Sequence, residues 1–160
     1  MTQDSLVSSQ PDLSRLNEML PPPPLPIGSY VATVQVDHLI YTSGVLPMKD
    51  GQLAYTGPVG SWDVTVADGQ EAARLCVLNG LSLLRHVLGN LDRVKRIVKV
   101  TGFVSSADNF YDQPLVMNGA SDLLVELFGE AGKHVRSAVG VNSLPRNASV
   151  EVELMVEIYP

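Results

Sequence analysis

Hydrophobic and polar residues alternate along the last ten positions before the C-terminal Tyr159-Pro160. Val150, Val152, Leu154, Val156 and Ile158 fall on one face of an extended segment, and Ser149, Glu151, Glu153, Met155 and Glu157 on the other. A period of two sustained over ten residues predicts a β-strand. The stretch 135–141 reads the same way, with Val135, Val139 and Val141 on one face and Arg136 on the other. Between them, Leu144-Pro145-Arg146-Asn147 is turn chemistry, so the two strands are expected to pair as an antiparallel hairpin. In that arrangement Arg136 shares the polar face with the row of glutamates.

Upstream, the patterning gives further elements in order. Leu13, Leu16 and Leu20 recur at helical spacing, and Pro21 to Pro24 then favours an extended polyproline segment. Residues 1–25 are read as a polar, proline-rich arm and residues 26–160 as the folded domain. Residues 30–36 and 39–45 are short β-rich runs around an Asp37-His38 turn, and Lys49-Asp50-Gly51 is a second turn. The first long helix is placed at residues 68–88, with Asp68 and Glu71 as its capping box, an apolar stripe through Ala73, Val77, Leu81, Leu84 and Leu88, and Gly89 as C-cap. Residues 94–104 form a strand, with Val94, Val98, Val100 and Val104 on one face and Ile97 and Phe103 on the other. Apolar residues on both faces suggest that both are covered, one by another subunit. A second helix spans residues 112–128, opened by Asp112 and Pro114 and closed by Gly129. The order strand, strand, helix, strand, helix, strand, strand predicts an α+β domain: a mixed sheet with two amphipathic helices packed on one face.

Composition narrows the function. The chain has 160 residues, and its net charge of −6 argues against a phosphate-backbone binder. Charged residues make up 18% of the sequence, below the usual quarter, as expected where surface is hidden against other subunits. One cysteine, Cys76, excludes an internal disulfide framework and fits a reducing compartment. It lies beside the helical stripe and reads as a buried structural thiol. No apolar run approaches the roughly twenty residues of a membrane helix, and the N-terminus lacks a secretory pattern, so a cytoplasmic location is expected.

Candidate chemistry is sparse. His38, His86 and His134 have no metal-binding spacing, and no phosphate-binding loop, dinucleotide fingerprint or nucleophile elbow is present. Arg136 offers a planar fork that matches a carboxylate, although pattern alone favours a surface pair with Glu151 or Glu153. His134, beside it, is assigned to the opposite face of the strand. Any of Glu151, Glu153 and Glu157 can orient a water or move a proton. Asn118 is a mediocre helix former inside a helix, which hints at a hydrogen-bonding role, with a plain surface position the commoner explanation.

Several of these residues sit in recognisable motifs. Ile27-Gly28-Ser29-Tyr30 resembles the I-G-P-Y segment of the Rid (reactive intermediate deaminase, YjgF-like or L-PSP) family. Tyr41-Thr42-Ser43-Gly44-Val45-Leu46-Pro47 resembles its T-S-G-Q-x-P. Arg136-Ser137-Ala138-Val139, Leu144-Pro145 and Val150-Glu151-Val152-Glu153 resemble its C-terminal R-S-x-V, L-P and V-x-I-E-x-E. The resemblance implies a chorismate-mutase-like α+β fold and a homotrimer with clefts between subunits. It also implies hydrolysis of 2-imino acids and their enamine tautomers to 2-keto acids and ammonia, without metal or cofactor. It assigns substrate-carboxylate binding to Arg136 and a water-associated role to Glu151. Cleft positions fall on Tyr30, Ser43 and Asn118, and the backbone carbonyl of Ala138 can help to place water. The chain departs from the family pattern at Ala138, where a cysteine is common, at Gly140, where a glutamate is frequent, and at Val45, where a glutamine is frequent. Three readings follow: a deaminase, a non-catalytic binder of small carboxylates such as 2-keto acids, and a ribonuclease or translation inhibitor. The acidic balance and the lack of a basic or aromatic groove argue against the third.

Overall fold

A computed structural model describes residues 13–160. Its centre is a five-stranded sheet of order β1-β2-β7-β5-β6, formed by β1 (Thr33–Val36), β2 (Leu39–Thr42), β5 (Val94–Ser105), β6 (Val135–Val141) and β7 (Val150–Ile158). A two-stranded ribbon, β3 (Met48–Lys49) and β4 (Gln52–Leu53), lies beside it. Asp50 (φ 51°) and Gly51 (φ 76°) turn that ribbon with both central residues in the left-handed region, as an Asp-Gly turn allows. Two long helices, α2 (Val66–Leu88) and α3 (Gln113–Phe128), pack on one face of the sheet. A mixed sheet with two helices on one face is the architecture that the strand and helix order predicts.

The expected pairing of 135–141 with 150–158 is not what forms. β5 lies between them, antiparallel to β7 and parallel to β6, and α3 is the crossover that joins β5 to β6. Period two specifies which face of a strand is buried but not its neighbour. The burial patterns show the difference: β7 alternates fully as a central strand between β2 and β5, whereas β6 is half exposed throughout, as befits an edge.

β5 also corrects its predicted faces. Register shifts between Val94 and Arg96, and between Ile97 and Lys99, are bulges that reset the parity of the strand. Ile97 is therefore buried with Val94, Val100 and Val104, while Val98 is only half-buried. The first long helix starts earlier than expected: Thr65 is its N-cap, and Asp68, at the third helical position, completes the capping box in place of Asp68 and Glu71. The Thr65 hydroxyl accepts from the Asp68 N–H (3.2 Å), and the Asp68 carboxylate accepts from the Thr65 N–H (2.8 Å).

Residues 1–12 of the expected arm lie outside the described residues. Beyond them, α1 (Leu13–Met19) inserts Leu16 and Leu20 into the core. The following prolines run along α2, where Ser82 donates to the Pro21 carbonyl and Arg85 donates to the Asn17 carbonyl. No helix among the described residues is long and apolar enough to cross a membrane.

The other face of the sheet carries no helix among the described residues. One row crosses all five strands there: Val34 pairs with Tyr41, Tyr41 with Met155, Met155 with Lys99, and Lys99 with Val135. Val34, Tyr41 and Val135 are exposed, as are Val36 and Val139. Lys99 and the β7 glutamates share this face with the exposed apolar side chains, so it is mixed in character.

Candidate functional site

The first group of site residues lies where β6 meets α3. Arg136 faces the helix. Its Nη1 donates to Asn118 Oδ1 and to Ser121 Oγ, both at 3.0 Å, and its Nη2 donates to the Pro114 carbonyl at 3.2 Å. Three of its five N–H bonds are thus used to fix the guanidinium. Nε–H and one Nη2–H have no partner among the described residues and remain able to donate to a carboxylate. The expected surface pairing of Arg136 with Glu151 or Glu153 does not occur, because the arginine and the glutamates lie on opposite faces of the sheet. Asn118, for its part, is a partner of Arg136 and not a bystander on the helix surface.

His134 is corrected in the same way. Positions 134 and 136 are two apart, so an extended chain puts them on one face. His134 Nε2 lies 2.9 Å from Ser121 Oγ, and its Nδ1 lies 2.6 Å from the Gly132 carbonyl. Ser121 and His134 are the members of this group that sequence reasoning missed. The parity of His134 with Arg136, read correctly, was the available signal.

Helix packing sets α3 at the required depth. A Cβ at Gly119 would lie 2.1 Å from the Gln70 carbonyl oxygen of α2, so only glycine permits this approach of the two helices. Asn118 and Ser121 flank that contact. At Gly140 the contact is with side chains and not backbone: a Cβ there would lie 2.6 Å from Gln113 Nε2 and 3.0 Å from Ser106 Oγ. Gln113 occupies the space, donating to Ser106 Oγ (3.2 Å) and to the Phe110 carbonyl (2.8 Å).

Ala138 also faces the helices, and its side chain packs on the core. Its carbonyl lies on the free edge of β6. The Ser106 N–H donates to the Val141 carbonyl, so residues of odd number turn their backbone groups toward β5 and residues of even number turn theirs outward.

The second group lines an open cavity of 1380 Å³. Tyr30, Ser43 and Glu151 are on its wall, with Arg74 and Leu78 of α2 and the proline segment. The Ser43 hydroxyl donates to the Val31 carbonyl (2.6 Å), and the Tyr30 hydroxyl accepts from the Ile27 N–H (3.2 Å). Glu151 is half-buried and lies against the backbone of Gly44. Burial raises its pKa from the ordinary carboxylate value, and the neighbouring charge of Glu153 adds to the shift. The segment after Gly44 is pinned by Asn79, a buried polar residue within the α2 stripe, whose Nδ2 donates to the Met48 carbonyl (2.8 Å) and the Leu46 carbonyl (3.3 Å). Cys76 is fully buried, and burial, then the Glu151 charge, raises its pKa well above the usual thiol value, so it is a structural thiol.

Within one chain the two groups do not meet. Glu151 pairs with Phe103, which pairs with Val139, three positions along β6 from Arg136. Two strand spacings and three residues separate the Cα atoms of Arg136 and Glu151 by about 14 Å. Arg136, Asn118 and Ala138 are not on the wall of the cavity.

Comparison with known proteins agrees with this architecture. Residues 16–158 match the family described as YjgF/chorismate mutase-like, a description that adds a provisional endoribonuclease label. The chain is 45% identical to Protein TCP17 of Trypanosoma cruzi, over 92% of each chain. It is 31% identical to a 2-iminobutanoate/2-iminopropanoate deaminase of Dermatophagoides farinae, over 84% of this chain and 90% of that one. The crystal structure of Atu1372 from Agrobacterium tumefaciens, a protein of unknown function, superposes with a TM-score of 0.80 at 46% identity, covering 91% of this chain and 90% of that one. The chain belongs to the YjgF/Rid family.

Proposed function

We propose that this protein hydrolyses small 2-imino acids to 2-keto acids and ammonia, in a cleft built from two subunits of a homotrimer. The observation that carries the reading is the separation of the two groups. Arg136 presents a fixed guanidinium with two N–H bonds able to donate to a carboxylate, and Glu151 presents a half-buried carboxylate of raised pKa. Yet about 14 Å and the sheet itself lie between them, farther than one small imino acid reaches. A neighbouring subunit bringing its Arg136 to this subunit's Glu151 removes the mismatch. The exposed row through Val34, Tyr41 and Val135 supplies apolar side chains for such an assembly. The deaminase relative supports the choice of chemistry.

Arg136 holds the substrate carboxylate, which fixes the imine carbon beside Glu151. A protonated imine is already electrophilic, so the protein's main task is orientation. Water adds its oxygen to the imine carbon, and Glu151 takes up a proton from it, helped by the outward carbonyl of Ala138. A pKa raised by burial makes this carboxylate a better base than an exposed one. Glu151 passes that proton to the amino nitrogen and then accepts the proton of the new hydroxyl as the carbonyl forms. The C–N bond breaks with its electron pair going to nitrogen, and ammonia leaves with the keto acid behind, the last proton returning to solvent or ammonia. This is acid–base chemistry alone and calls for no cofactor. Tyr30, Ser43 and Asn118 shape the cleft, Asn118 through Arg136. The single cysteine fits action in the reducing cytoplasm.

The test is keto-acid release from freshly generated 2-iminobutanoate. Wild type accelerates it over the spontaneous rate, Arg136→Ala loses substrate binding, and Glu151→Gln retains binding of 2-oxobutanoate but loses turnover. No acceleration by folded wild type contradicts the activity.

A further inference from the structure

We infer that Ser121 and His134 form a directional hydrogen-bond relay that positions Arg136, and that substrate-carboxylate affinity depends on it. The inference rests on the proposed carboxylate-binding role of Arg136 and extends it to two residues outside the family motifs. The chain of contacts runs from the Gly132 carbonyl to His134 Nδ1 (2.6 Å), from His134 Nε2 to Ser121 Oγ (2.9 Å), and from Ser121 Oγ to Arg136 Nη1 (3.0 Å).

Its polarity follows from what each group can do. The Gly132 carbonyl only accepts, so Nδ1 carries the proton. The guanidinium only donates, so Ser121 Oγ accepts from Arg136. The serine proton is then left to donate, and Nε2 of the Nδ1–H tautomer is the acceptor within reach. Every group is satisfied once. The reverse tautomer leaves the Gly132 carbonyl facing a bare Nδ1, and it gives Ser121 two donors and no acceptor.

The placement of the relay argues for positioning and not for packing alone. Asn118 and Ser121, three apart on one face of α3, together take both N–H bonds of Nη1. The Pro114 carbonyl takes one from Nη2. Three acceptors of α3 thereby hold the guanidinium, and Nε–H and one Nη2–H remain to donate to a carboxylate. Without Ser121, Nη1 keeps one partner, and the guanidinium is held by two bonds in place of three. His134 prevents the serine hydroxyl from turning its own proton toward the arginine. A binding group held by locked supporting residues loses less freedom when ligand arrives.

Binding of 2-oxobutanoate, followed by calorimetry on the intact oligomer, tests the inference. Ser121→Ala and His134→Phe are expected to weaken binding about tenfold each, the effect of one lost orienting hydrogen bond. Ser121→Thr, which keeps the hydroxyl, is expected to stay within about threefold of wild type. In turnover, Ser121→Ala is expected to raise KM with kcat little changed. Long-range 1H–15N spectra of the imidazole are expected to show His134 protonated at Nδ1 in wild type. An Nε2–H tautomer overturns the relay, and that measurement needs no variant to fold. Wild-type affinity in folded Ser121→Ala, alongside lost affinity in Arg136→Ala, overturns the relay but leaves the carboxylate site standing. Absence of binding by wild type removes both.

Discussion

Glu151 lies in the space that any side chain at residue 44 would occupy: a Cβ on Gly44 would sit 1.7 Å from Glu151 Oε1. The Thr42-Ser43-Gly44 segment is therefore a seat for the carboxylate, and two of the motifs that carry the sequence resemblance meet in space. Gly44→Ala is predicted to push Glu151 out of position, lowering turnover at least tenfold while the protein remains folded, since a side chain and not backbone has to move. Steady-state kinetics of the variant, with circular dichroism for its fold, check this.

Glu151 makes stability depend on pH in a direction opposite to that of an ion-paired carboxylate. Its pKa in the folded protein is raised, chiefly by burial and further by Glu153. Folding therefore favours its protonated form. The favourable contribution is present below the ordinary glutamate value of about 4.3 and is lost as pH rises through the raised value. Glu151→Gln is predicted to be more stable than wild type in urea at pH 7, with the difference shrinking at pH 4. A difference that grows on acidification contradicts the assignment.

Gly119 controls how close α3 comes to α2, and through that the position of Asn118 and Ser121. Because its Cβ would meet backbone, at 2.1 Å from the Gln70 carbonyl oxygen, no side chain can turn aside to relieve the contact. Gly119→Ala is predicted to cost about 1–3 kcal/mol, as overpacking does, and to impair carboxylate binding as well. Denaturant midpoints and 2-oxobutanoate titration measure both effects.

Much of this was legible in the sequence, and the failures have identifiable causes. The element order, the α3 boundaries and the buried Cys76 follow from periodicity, caps and composition. The pairing of β6 with β5, in place of β7, did not follow, because alternation encodes a buried face and is silent about neighbours. That mistake also put Arg136 among the glutamates, whereas β6 turns it toward α3. The two bulges in β5 account for Val98 and Ile97, since the first flips the parity of the strand and the second restores it by Val100. Thr65 escaped notice as an N-cap because Asp68 offers the same chemistry three residues on. Gly140 looked like a missing acid until Gln113 was seen filling its place.

In the proposed cleft the Arg136 of one subunit works with the Glu151 of another. Inactive Arg136→Ala and Glu151→Gln proteins, co-expressed and purified as mixed oligomers, test it most directly through keto-acid release from 2-iminobutanoate. In a trimer that holds both kinds of subunit about one cleft in three receives both native groups, so recovery of about a third of wild-type activity is expected. Mixed oligomers as inactive as either parent, beside an active wild type, would contradict it.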